Sequence, residues 1–220
     1  MSTLRRISAA VTVVALMAAM TGCSQRVLMN TITSAPNAKQ CVSNVGSTVA
    51  DDASLGNAES LAMREEDFWG WIDTLEGTSE ESYSRLAEEL SDEPIETIAA
   101  FDARMTIQLY RLDDECRAAW YESHEGYVND DVFLYARAET VSSGRKFFER
   151  AIQNDSLPHR GDGPSEGDGE LLLYVGMNAA RSSGASEKDW DDATYPYRNL
   201  SYETGSNPAG WPPASGSIPE

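Results

Sequence analysis

Positive charge is scarce in this chain. Of its 220 residues, 17 are Lys or Arg and 36 are Asp or Glu, a net charge of −19. Lysine stands only at Lys39, Lys146 and Lys188. A surface of this sign repels phosphate backbones and anionic headgroups, so no nucleic-acid partner is expected. Histidine is also scarce. His124 has Glu122 and Glu125 beside it, and His159 lies in a polar stretch far along the chain. That is too little for a zinc site at ligand spacing, and no metal or cofactor is assigned. The acids between Asp162 and Glu170 lack the order of a calcium loop. Phosphate loop, nucleophile elbow and HExxH motif are all missing, and no catalytic residue is named. Glu65, Glu66 and Asp67 beside Trp69 and Trp71 would suit sugar chemistry with paired carboxylates. Acids in a first helical turn are, however, expected from the helix dipole alone.

Long apolar runs are absent except at the start. Arg5 and Arg6 precede Ile7–Met20, a stretch of 14 residues broken only by Ser8 and Thr12. A membrane span needs roughly 20. The run ends in Met20-Thr21-Gly22-Cys23, a secretory signal closed by the bacterial lipobox pattern. We therefore expect residues 1–22 to be a lipoprotein signal peptide and Cys23 to carry lipid. A single acyl chain gives only marginal membrane binding, whereas two or more anchor stably. The expected location is the cell envelope, on the exported side, held to a membrane through the lipid. Removal of Arg5 and Arg6 takes the formal charge to −21.

Cysteine is equally sparse. With Cys23 lipidated, Cys41 and Cys116 remain, an even pair in an oxidising compartment and candidates for a disulfide.

Residues 23–60 read as a flexible tether rich in Ser, Thr, Asn, Ala and Gly. Apolar positions then recur at helical spacing. Phe68, Trp71, Ile72 and Leu75 form one stripe, and Tyr83, Leu86 and Leu90 a second behind Ser79-Glu80-Glu81. A long third helix after Pro94 carries Ile95, Ile98, Phe101, Met105, Leu109, Leu112, Cys116 and Trp120. A fourth follows Asn129-Asp130-Asp131, interrupted at Gly144 and continuing to Asn154, and a last one runs from Leu171 to Ala180. No internal repeat or two-residue alternation appears. The expected fold is all-α, a bundle of about five or six helices over residues 61–182. Residues 183–220 read as an irregular Pro/Gly/Ser-rich tail, which from about Tyr195 is expected to add little to the core, the rival reading being that its aromatics strap across the bundle.

Asp130, Asp131, Arg137 and Glu139 form the one cluster with binding potential. We take Asp130, Asp131 and Arg137 as candidate ligand-binding residues. The simpler reading is that the aspartates cap the helix, while Arg137 anchors it to a carboxylate such as Asp114 or Glu115 on the long helix.

Phe68-Trp69 with Ile72, then Asp130-Asp131-Val132-Phe133-Leu134-Tyr135-Ala136-Arg137, Val141 and Gly144-Arg145, resemble the domain of unknown function 4240 family. The resemblance runs from Phe68 to Asn154. Glu139 stands where that family usually has tryptophan. The resemblance implies a helical fold and no particular activity.

Two function classes follow. One is a membrane-tethered interaction or ligand-binding module with an envelope protein partner. The other is an envelope enzyme acting on sugar or peptide. A shallow aromatic surface would favour the first, and a deep pocket of converging acids the second.

Overall fold

The computed structural model of the protein describes residues 53–126, 128–158 and 168–211. Cys23 and Cys41 lie outside them, as do the leader, most of the expected tether and His159. In chain order the helices are α1 (Ala53–Leu61), α2 (Glu65–Ile72), α3 (Glu80–Leu90), α4 (Ile95–Arg111), α5 (Glu115–Glu125), α6 (Asp130–Ser142) and α7 (Arg145–Asn154). A 3-10 segment (Asp168–Tyr174) leads into α8 (Val175–Ser182), and α9 (Glu187–Thr194) leads into a short 3-10 turn (Tyr195–Tyr197). No strand occurs among the described residues.

The all-α class agrees with the patterning, but nine helices stand among the described residues where five or six were expected. The expected long third helix is two. Its apolar stripe runs on past Leu112, yet the Asp114 carboxylate accepts the Arg117 amide at 2.9 Å and starts α5 afresh. Gly144 likewise separates α6 from α7. The other additions fall in segments expected to be irregular. Ala53–Leu61, placed in the tether, is a helix with Leu55 and Ala58 buried. The tail contains α9, which opens with a capping box between Ser186 and Asp189.

α4 is the central element. Eleven of its 17 residues are buried, so it is wrapped on all sides rather than amphipathic. Ile98, Phe101, Met105 and Leu109 join the main core with Phe68, Ile72, Leu86, Leu90 and Phe133. Each such side chain contributes about 1.5–3 kcal/mol on burial. Ala99, Ala103, Ile107 and Tyr110 face a second core made with Leu55 and Ala58 of α1 and with Tyr197 and Leu200 of the tail. The tail is therefore part of the packed structure, contrary to the expectation from its composition.

Two buried arginines tie elements together. Arg104 of α4 donates to the Met63 carbonyl at 2.7 Å and to Glu59 at 2.6 Å, fixing the α1–α2 link. Arg117 of α5 donates to the Ala151 and Ile152 carbonyls at 3.2 and 3.3 Å, satisfying the C-terminus of α7.

Candidate functional site

Helix α6 carries all three candidate binding residues, and its two faces have different fates. Asn129 is the N-cap, its side-chain oxygen accepting the Val132 amide at 2.8 Å. Asp130 and Asp131 occupy the first turn and are exposed. They complement the helix dipole rather than cap it, a correction to the simpler sequence reading.

Arg137 points inward and is wholly buried. One terminal nitrogen donates to the Leu109 carbonyl at 3.0 Å. The other donates to the Tyr202 carbonyl at 3.0 Å and to the Thr204 hydroxyl at 3.1 Å. Its carboxylate partner is neither Asp114 nor Glu115 but Asp113, also wholly buried, 3.7 Å away. The guanidinium carbon lies 4.8 Å from the centre of the Phe133 ring. Burial draws the Arg137 pKa down to about 10, against the pull of Asp113 and Glu203.

Asp113 in turn organises the tail. It accepts from the backbone amides of Gly205 and Asn207 at 3.1 and 2.9 Å and from the Trp211 indole at 2.8 Å. Gly210 lies so close beneath the α4–α5 corner that a Cβ would collide with the Asp113 carbonyl. Its own carbonyl accepts the Glu115 amide at 3.0 Å. Residues 201–211 thus form a strap over α6, with Trp211 set edge-on to Phe133 at 6.1 Å. The Thr204 hydroxyl donates to the Asp130 carbonyl at 2.8 Å. Asp130 and Arg137 are therefore brought together through Thr204 and the Asp130 backbone, while the Asp130 and Asp131 carboxylates stay on the surface.

The outer face of α6 presents Asp131 and, one turn on, Tyr135. The 3-10 segment crosses it so closely that a Cβ on Gly169 would strike the Tyr135 carbonyl and the Glu139 amide. This close approach sets Glu170 beside Tyr135, and the Tyr174 hydroxyl donates to Glu170 at 3.1 Å. The Tyr135 phenol is held above its ordinary pKa by burial and then by Glu170, Asp131 and Tyr174. Tyr174 is 40% exposed. The result is a shallow tyrosine surface around one carboxylate.

The other sequence candidates do not assemble into a site. Trp69 is buried against Phe148, at 5.3 Å between ring centres, while Trp71 is half-buried. Asp67 pairs with Arg64 at 2.8 Å and Glu65 accepts from Gln108 at 3.1 Å, so these acids do not face each other across a cleft. His124 stacks on Trp120 at 4.1 Å. Among the described residues no group of His, Cys, Asp and Glu is arranged to hold a metal ion.

A family model described as protein of unknown function (DUF4240) matches residues 63–181, more than half of the chain. The chain belongs to the DUF4240 family. No curated protein and no solved structure matches it. The DUF4240 match extends past Asn154 through the 3-10 segment and α8, beyond the stretch whose motifs carry the resemblance. The Asp130–Arg137 motif of this DUF4240 domain is therefore one helix with a sealed inner face and an outer face exposed in its first turn and crossed by the 3-10 segment at Tyr135 and Glu139. Asp113, Tyr202, Thr204 and Trp211 escaped sequence reasoning. The available signal was the Asp113-Asp114 pair inside an apolar helical stripe, since one carboxylate there starts a helix and the other has to be neutralised.

Proposed function

We propose that the protein is an exported lipoprotein, lipidated on Cys23, whose helical DUF4240 domain is a binding module for an envelope partner. The observation that carries the binding reading is the outer face of α6. Asp131, Tyr135, Glu170 and Tyr174 make a shallow aromatic and acidic surface held by the tight Gly169 crossing. Surface tyrosines offer large contact area at low entropic cost. Anchoring rests on the Met20-Thr21-Gly22-Cys23 junction. No helix of the described residues is long and apolar enough to cross a membrane, so attachment by lipid is consistent with the domain.

Labelled palmitate tests the anchor. Wild type is expected to incorporate it, and Cys23→Ala to remain uncleaved and unlabelled. Absence of label on wild type overturns the lipoprotein reading. For the module, wild type and a Tyr135→Ala/Tyr174→Ala variant are compared as baits in the native envelope. Partners retained equally by both would remove this surface from the proposal.

We also propose that Cys116, half-buried on α5, pairs with Cys41. The loop of about 75 residues would contribute roughly 4 kcal/mol in the chain-entropy picture. A thiol count on the unfolded, unreduced chain decides this, since two free thiols exclude the bond.

A further inference from the structure

Asp102 belongs to none of the ion pairs described above. It projects from α4 into the seam where α8, α9 and the segment after α9 meet. From α8 the facing residue is Gly176, whose missing Cβ would stand 2.9 Å from an Asp102 carboxylate oxygen and 3.2 Å from the Trp190 ring of α9. From the segment after α9, the Tyr197 hydroxyl donates to Asp102 at 3.0 Å. Tyr202 feels the same carboxylate, together with Glu203 and Tyr174 farther out, and burial with these charges pushes its pKa up to about 12. Among the described residues no cation pairs with Asp102. A half-buried carboxylate between Tyr197 and the Gly176 backbone, with one hydroxyl donor and no ion pair among the described residues, is biased towards the neutral acid.

We propose that Asp102 is the pivot of a pH-responsive clasp, in which its protonation under mild acidity draws residues 190–202 onto α4 and its ionisation towards neutrality loosens them. What the clasp holds gives this consequence. Tyr197 and Leu200 complete the second core with Leu55 and Ala58 of α1, and the Asn57 amide donates to the Pro196 carbonyl. Loosening residues 190–202 therefore also loosens α1, the first described helix. Burial, partly opposed by the Tyr197 hydrogen bond, raises the Asp102 pKa from 3.8 to about 6. A carboxyl raised in the closed form contributes its full stability below the open-form value. That contribution is lost as pH rises through the closed-form value. The closed-to-open ratio then falls by up to about 100-fold from below the open-form value to neutrality, about ten-fold of it above pH 5.

The test uses the full chain. Hydrogen-exchange protection of the amides in residues 187–204, corrected for intrinsic exchange, is followed from about pH 5 to about pH 7.5. Wild type should lose about ten-fold protection as pH rises through this window, while Asp102→Asn, neutral throughout, should stay flat at the acid level. Tyr197→Phe removes the donor that favours the carboxylate, so its loss should begin at lower protection but centre on a higher pH. A merely structural Asp102 would leave no such separation of pH profiles. Protection in wild type that is independent of pH, or an Asp102→Asn profile that keeps the wild-type slope, overturns the proposal. So does an Asp102 side-chain titration, read by carbon NMR, centred at an ordinary carboxylate value.

Discussion

A guanidinium without solvent contact persists only where its donors are taken up. Arg137 meets this with two carbonyls, a hydroxyl and Asp113, though its Nε has no partner among the described residues. The pair is buried on both sides, so the desolvation cost is large and either partner alone is worse than both. Asp113→Ala should cost about 3–5 kcal/mol in urea unfolding, because it strands Arg137 and removes the acceptor of three strap donors. Asp113→Ala with Arg137→Met should recover part of that loss. Additive effects in the double variant would show that the two charges are not coupled. Sequence reasoning found Arg137 and the kind of partner it needs, a carboxylate on the preceding long helix. It leaves Asp114 and Glu115 open and misses Asp113, because the three are consecutive and only the helix break at that point decides which one turns inward. Gly210→Ala is a second residue-scale case. Its Cβ would meet a backbone carbonyl, which cannot swing aside as a side chain can. A loss of about 1–3 kcal/mol is expected, as for other overpacked contacts. An unchanged melt would mean that the strap is not held at this corner.

Among the elements, the helices read most clearly were those with an apolar stripe and a capping residue. Ser79 accepts the Ser82 amide at 3.3 Å and starts α3 where the sequence placed it. α4 and α5 were merged because apolar periodicity continues through Leu112 into Cys116, and a carboxylate cap is silent in a count of apolar positions. At α6 the cap was assigned one residue group too broadly. Asn129→Ala should cost about 0.5–2 kcal/mol, the usual range for losing a cap. Asp130→Ala and Asp131→Ala, exposed in the first turn, should each cost only about 0.3–1 kcal/mol, and less at high salt. Thermal melts of the three variants at low and high ionic strength separate a hydrogen-bonded cap from a dipole effect. If Asp131→Ala were as damaging as Asn129→Ala, the outer face of α6 would be structural rather than a free surface for a partner.

Across the whole molecule, the tail was the least legible part, and the reason is distance along the chain. Its order comes from bonds to Asp113 that span 92, 94 and 98 positions. Its apolar contacts reach α1 and α4 at Leu55 and Ile107. Nothing local signals this, since proline, glycine and serine between scattered aromatics also describe an unstructured end. The helical class and the Asp130–Arg137 motif were legible because their signals repeat within a few residues. Truncation after Ala193 tests the difference. An unstructured tail predicts a melting temperature within a few degrees of the full chain. A packed one loses the burial of Tyr197 and Leu200, about 1.5–3 kcal/mol each. It also leaves Asp113 and Arg137 without their strap partners. We expect the truncated chain to be at least about 3 kcal/mol less stable, a fall of roughly 6–12 °C for a domain of this size. Asp113→Asn should recover little in the truncated chain, because Arg137 then keeps its burial and loses its charge partner. A truncated chain that melts with the full one would detach the strap from the core and leave Asp113 paired by Arg137 alone.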